Sequence, residues 1–186
     1  MTVVAVVLAA GGGSRFTGPV PKLTAPFRGR PLVAWAVEHA LAAHLDETIV
    51  VAGAVDLADV VPDEVTLLHN PNWRDGQAGS LRVAIDWCER RGHAAAVVGL
   101  GDQPLVPAEA WRLVAQNETR PIVTATFGGE RRPPVRLGRE VWAALPVSGD
   151  EGARALMRRR PHDVAEVACP GEAADVDTVE DLSRWS

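Results

Sequence analysis

Three glycines in a row, Gly11, Gly12 and Gly13, precede Ser14 and Arg15 and, seven residues after the arginine, Lys22. From Ala9 to Leu23 the chain reads AAGGGSRFTGPVPKL. These residue types at this spacing suit an anion. Glycine lets backbone N–H groups approach a ligand closely, and two cations reach in from the far half of the loop. Pro19 and Pro21 stiffen the approach to Lys22. Two familiar phosphate loops do not fit. A dinucleotide fingerprint needs a glycine three places after Gly13, where Phe16 stands, and an acid at the end of the second strand, where Ala52 and Gly53 stand. A P-loop laid on Gly13 to Gly18 puts Pro19, with neither charge nor N–H, at the lysine position. What remains is a phosphate cradle, or a strand-to-helix turn with two solvated basic residues.

A second chemical stretch is GDQP, Gly101 to Pro104. Its acid follows a β-branched run, and in open α/β sheets ligands sit beyond the carboxyl ends of the strands. The elements that must position both stretches are legible. Val3–Leu8 is apolar on every residue, as in a strand buried on both faces of a parallel sheet. Ile49–Ala52, Val65–Leu68, Ala95–Leu100 and Ile122–Ala125 repeat that signal. Between them lie helical stripes at Leu32–His44, Gly79–Arg91 and Pro107–Gln116, with shorter helices at Gly152–Arg159 and Thr178–Ser183, the last capped by Thr178. This alternation predicts an α/β fold, with 186 residues forming one domain.

Composition narrows the function. A net charge of -5 with 47% hydrophobic residues argues for a globular protein and against general nucleic-acid binding. The apolar start lacks a basic leader and is too short to span a membrane, which predicts a cytoplasmic protein. Cys88 and Cys169 form no CxxC pair, and the five histidines are scattered, so no zinc site is expected. No Ser/His/Asp or Cys/His constellation stands out.

The motifs taken in order resemble the MobA-like nucleotidyltransferases, in particular their molybdenum cofactor cytidylyltransferase branch. LAAGGGSRFTGPVPKL (Leu8–Leu23) is similar to that family's opening LAAG, Arg and PKL. GRPLVAWAVEHAL (Gly29–Leu41), NPNWRDGQAGSLRVAI (Asn70–Ile85), GDQPLV (Gly101–Val106), PPVRLGREVWAAL (Pro133–Leu145), SGDEGARALM (Ser148–Met157) and DVDTVEDL (Asp175–Leu182) follow in the family's order. The segment between Arg15 and Lys22 is longer than the common form, and Pro133 stands where the family often has histidine or asparagine.

The resemblance implies a three-layer α/β/α domain with a mostly parallel, Rossmann-like sheet of the nucleotide-diphospho-sugar transferase type. It implies transfer of CMP from CTP to the phosphate of a molybdopterin-type cofactor, with release of pyrophosphate. Asp102 and Asp177 would hold Mg2+, with Asp175 as the nearby substitute; magnesium favours one or two carboxylates plus phosphate oxygens. Lys22 would stabilise the transferred phosphoryl group. Leu8, Ala9, Ala10, Gly11, Gly12, Gly13, Ser14 and Arg15 would bind the nucleotide, Ala10 favouring cytidine over guanosine. Asn70, Trp73, Gly76, Ser80, Gln103, Pro104 and Arg154 would form the acceptor side. Arg131, Arg132, Arg136 and the run Arg158 to Arg160 read as solvated faces. A guanylyltransferase, a transferase for another small phosphorylated acceptor, and a non-catalytic chaperone serving a recipient molybdoenzyme are the alternatives.

Overall fold

The computed structural model describes residues 1–185. Strand β1 (Val3–Ala9) leads through the glycine loop and a 3-10 turn (Lys22–Thr24) to a two-stranded ribbon, β2 (Pro26–Phe27) and β3 (Arg30–Pro31). Helix α1 (Leu32–Leu41), β4 (Glu47–Ala52), β5 (Thr66–His69), a 3-10 turn (Trp73–Asp75), α2 (Gln77–Arg91) and β6 (Ala95–Leu100) complete the first half. The second half runs α3 (Ala108–Gln116), β7 (Ile122–Phe127), β8 (Glu130–Gly138), a 3-10 segment (Arg139–Ala144), α4 (Ala153–Arg159), β9 (Val164–Ala168) and α5 (Val179–Trp185).

Among the described residues the main sheet has seven strands in the order β5-β4-β1-β6-β8-β7-β9. Only β8 runs antiparallel to its neighbours. The sheet is thus mostly parallel with helices on both faces, the expected α/β class. Side chains alternate across β1: Ala5, Val7 and Ala9 pack with α1 and α3, while Val4, Val6 and Leu8 pack with α2 and α4. Burying each large aliphatic side chain contributes about 1.5–3 kcal/mol before ordering costs. Trp111 of α3 reaches the sheet at Gly99, where a Cβ would lie 2.5 Å from its indole.

Two strands of the sheet, β8 and β9, lie outside the sequence expectation. β8 opens on Glu130, Arg131 and Arg132 and contains Pro133 and Pro134, which argue against a central strand. Its register explains how they fit: Thr124 pairs with Val135 and Ala125 with Arg132, so both prolines fall in a bulge where no ladder N–H is needed. The turn before it is the two-residue Gly128-Gly129, both at positive φ, as a tight hairpin requires. β9 is a short edge strand with no fully buried residue, too weak a pattern to stand out. α5 starts as expected. Thr178 Oγ1 accepts from the Asp181 N–H at 3.1 Å and the Asp181 carboxylate accepts from the Thr178 N–H at 3.0 Å, a reciprocal cap. No helix among the described residues is long and apolar enough to cross a membrane.

Candidate functional site

The carboxyl ends of β1 and β6 bring the two chemical stretches together. The Gly101 N–H donates to the Leu8 carbonyl at 2.9 Å, which lays GDQP beside the start of the glycine loop. Gly13 adopts φ 63°, and a Cβ there would lie 2.9 Å from the Cβ of Lys22. Glycine is therefore what lets the loop turn back and carry Lys22 inward. Within the longer segment that follows, the Phe16 ring lies over Gly18, where a Cβ would fall 2.4 Å from it.

Lys22 ends between two acids. Its Nζ donates to Asp102 Oδ2 at 2.6 Å and to Asp177 Oδ1 at 3.2 Å. Arg15 Nη2 pairs with the other Asp177 oxygen at 2.9 Å. The lysine side chain is 10% exposed and the two carboxylates 22% and 25%. Burial pulls the Lys22 pKa down, but the adjacent Asp102 and Asp177 carboxylates outweigh it and hold the ammonium above its ordinary 10.5. One point thus lies within hydrogen-bond reach of both carboxylates and is held by a cation. Among the described residues no group of three or more His, Cys, Asp or Glu could hold a metal. Two carboxylates suit a hard divalent cation that completes its shell from phosphate and water.

Asp177 reaches this point because its segment is tied to the end of β6. The Val176 N–H donates to the Asp102 carbonyl at 3.0 Å, and Val176 is wholly buried in a small core with Phe27 and Leu32 that also packs α5. Asp175 takes a hydrogen bond from Gln103 Nε2 at 2.7 Å and lies 3.7 Å from Arg132. Burial raises its pKa, only partly offset by the Gln103 bond; Asp102 and Asp177 raise it further and Arg132 lowers it.

Two cavities meet at the Lys22 cluster. One, of about 680 Å³, is lined by Leu8 through Arg15, Lys22, Trp73, Arg74, Gly76, Gln77 and Ser80. The other, of about 440 Å³, has an apolar floor of Leu8, Leu81, Val98, Leu100, Val135 and Met157 and a rim carrying Arg15, Arg131, Arg132, Arg154 and Arg158. Asp102, Asp177 and Gln77 line both. The seam between the cavities is where the acids and the lysine stand.

This geometry regroups several expected residues. Trp73, Gly76 and Ser80 line the glycine-loop cavity, whereas Arg154 lines the other, so the predicted acceptor set is divided. The cause is backbone packing: a Cβ at Gly12 would lie 2.9 Å from the Trp73 ring, and one at Gly53 would lie 2.7 Å from the Trp73 Cβ. Trp73 is therefore clamped to the loop after β1. Asn70 is buried and donates to Ser80 Oγ at 3.0 Å. It lines neither cavity, nor do the buried Gln103 and Pro104. Arg131 and Arg132, expected on solvated faces, also line the second cavity because β8 starts beside the carboxyl end of β6 and runs antiparallel to it, while Arg158, still largely exposed, reaches the rim from α4. Arg136 is buried, 6% exposed, and reaches Glu118 at 3.5 Å. The Gly-Gly turn before an arginine pair was the available signal for this strand. Arg131 is paired with Glu166, and Arg158 with Glu151. The guanidinium of Arg154 makes no hydrogen bond or ion pair with another described residue.

Both cysteines lie outside the site. Burial pushes the Cys88 thiol up to about 12, with Glu47 adding to it, and pushes Cys169 up to about 11, leaving both poor nucleophiles.

The sequence profile of the MobA-like NTP transferase domain matches residues 5–164. The chain belongs to that family. This MobA-like chain is 32% identical over 199 aligned residues to the nicotine blue oxidoreductase of Paenarthrobacter nicotinovorans, an alignment covering 98% of the chain and 95% of the relative. Its backbone superposes on Rv0371c of Mycobacterium tuberculosis H37Rv with a TM-score of 0.82 at 28% identity, covering 99% and 97% of the two chains. A structure of Rv0371c in complex with manganese matches with a TM-score of 0.81 at 26% identity, covering 100% and 98%.

Proposed function

We propose that the protein transfers CMP from CTP to the phosphate of a compact, phosphorylated acceptor of the molybdopterin type, assisted by Mg2+ and releasing pyrophosphate. The observation that carries this reading is the meeting of Lys22, Asp102 and Asp177 at the seam between two cavities. Transfer between two anions is a problem of positioning and charge neutralisation, and a seam of this composition suits it.

The nucleotide lies along the glycine loop, with Leu8, Ala9, Ala10 and Gly11 at the base and Gly12, Gly13, Ser14 and Arg15 toward the phosphates. Trp73, Gly76 and Ser80 close the same cavity from the α2 side, and Asn70 fixes Ser80 from behind. Asp102 and Asp177 hold the divalent cation, which supplies positive charge to the triphosphate when bound. Lys22 neutralises charge on the phosphoryl group being transferred. The acceptor occupies the smaller cavity, its apolar body on the leucine and valine floor and its anionic groups facing Arg132 and Arg154. A phosphate monoester has a second pKa near ~6 and is already ionised at neutral pH, so no general base is needed. Gln103 and Pro104 support the carboxylate end from within the core. Ala10, as in the LAAG opening, favours CTP over GTP.

The test is pyrophosphate release by the purified protein with Mg2+, each of CTP, GTP and ATP, and a molybdenum-loaded pterin. Release with CTP, abolished by Asp102→Ala, supports the reading. No release with any triphosphate overturns it, and tight pterin binding without turnover points to a chaperone. Preference for GTP would reverse the reading of Ala10. The similarity to a nicotine blue oxidoreductase, together with the apolar floor of the smaller cavity, favours a second reading as an oxidoreductase acting on a compact molecule with an apolar body. Oxidation of NADH or NADPH that depends on a conjugated dye and survives Asp102→Ala would favour it.

A further inference from the structure

Gln103 is 3% exposed and points its Nε2 at Asp175 Oδ1, 2.7 Å away. Its other amide atom, Oε1, is buried without a hydrogen-bond partner. An orphaned buried acceptor is destabilising, a cost that leucine, of similar volume, would avoid. The amide therefore serves something other than core packing. Its target sits at the start of a three-residue segment whose far end is Asp177.

We propose that Gln103 is a positioning residue whose amide clasps Asp175 and so sets the Asp177 carboxylate beside Asp102. Three attachments act on this segment in sequence: the Gln103 amide on Asp175, the Val176 N–H on the Asp102 carbonyl, and the buried Val176 side chain against Phe27 and Leu32. The first two tie it to residues 102 and 103, directly beyond β6. Asp175 is then a strut. One of its oxygens takes the Gln103 amide and the other faces Arg132 of the smaller cavity at 3.7 Å, leaving Asp102 and Asp177 as the pair at Lys22. The strut joins the segment carrying Asp177 to a guanidinium on the acceptor side. This inference rests on the metal-assisted reading of the site.

Outer partners that orient metal-binding side chains are worth about 10- to 100-fold in metal affinity. Gln103→Leu should lower Mn2+ affinity, measured by calorimetry on the nucleotide-free protein, by that factor. Binding of CTP in EDTA and the melting temperature should stay at or above wild type. Gln103→Glu should also weaken Mn2+ binding, and the double variant Gln103→Glu/Asp175→Asn, in which donor and acceptor change sides, should recover most of it. Amide exchange at Val176 should speed up in Gln103→Leu without any metal present. Unchanged Mn2+ affinity in Gln103→Leu overturns the proposal, as does a parallel loss of CTP binding in EDTA. Failure of the metal-assisted reading shows separately, as no Mn2+ uptake by the wild-type chain. In that case exchange at Val176 decides the clasp, faster exchange supporting it and unchanged exchange overturning it.

Discussion

Lys22 Nζ stands 2.6 Å from Asp102 Oδ2 although 80 residues separate the two in the chain. The ammonium occupies the point at which Asp102 and Asp177 converge, so under the proposed function a divalent cation bound there would compete with the lysine for the same oxygens. Lys22→Ala should cut nucleotidyl transfer about 10²- to 10³-fold, the scale of losing one preorganised charge donor. In the absence of nucleotide, Mn2+ should raise the melting temperature of Lys22→Ala more than that of wild type. An equal or smaller rise would contradict the competition.

Gly11 and Gly13, two positions apart in the same loop, carry opposite expectations. Gly13 lies at φ 63° against Lys22, whereas a Cβ at Gly11 would meet nothing within 4 Å. Gly13→Ala should cost about 1–2 kcal/mol in urea unfolding, the penalty of the left-handed region for a residue with a Cβ. Gly11→Ala should stay within about 0.5 kcal/mol of wild type. Equal costs would show that backbone conformation is not what selects glycine at 13.

Trp73 packs on Gly12 and lines the glycine-loop cavity. Trp73→Leu should weaken CTP binding about 2- to 10-fold, the range of an aromatic contact beyond its area, and leave the acceptor KM unchanged. Calorimetry with CTP and steady-state kinetics with varied acceptor separate the two. A change confined to the acceptor KM would return Trp73 to the acceptor side.

Glu47 anchors the opposite end of the sheet. Its carboxylate takes hydrogen bonds from Thr66 Oγ1 at 2.9 Å and Trp87 Nε1 at 3.0 Å, and its other oxygen lies 2.8 Å from His93 Nε2. Burial works to raise its pKa, but these bonds prevail and hold the carboxyl below its ordinary 4.5. A folded-state pKa below the unfolded one means the stabilisation is present above pH 4.5 and is lost as pH falls through the folded value. Glu47→Gln should be less stable than wild type at neutral pH by about 1–3 kcal/mol. The gap should close in acid. Urea titrations followed by circular dichroism at several acid pH values check this; a constant gap would remove the carboxylate from the account.

Much of the fold was readable from periodicity. The apolar, β-branched runs within β1, β4, β6 and β7 announce strands buried on both faces, and the helical stripes of α1 and α2 announce their cover. β8 escaped because its prolines are tolerated only through a bulge against β7, a relation between two strands that neither strand's own pattern contains. The arginines it carries were read as solvated for the same reason.

For the site, local chemistry singled out the glycine loop, Lys22 and Asp102, since glycine spacing, fixed φ at proline and an acid at a strand end are properties of short segments. Resemblance added Asp177. The partition into two cavities, with Trp73 and Ser80 on one side and Arg132 and Arg154 on the other, arises from contacts between segments far apart in the chain. Gln103 shows the limit most clearly. The resemblance put it on the acceptor side, and its contact with Asp175 exists only where the chain folds that residue onto it, 72 residues later. Residue types and short spacings set which chemistry was available, and long-range packing set which residue stands opposite which, because the free energy that places them comes from burial shared across the whole core.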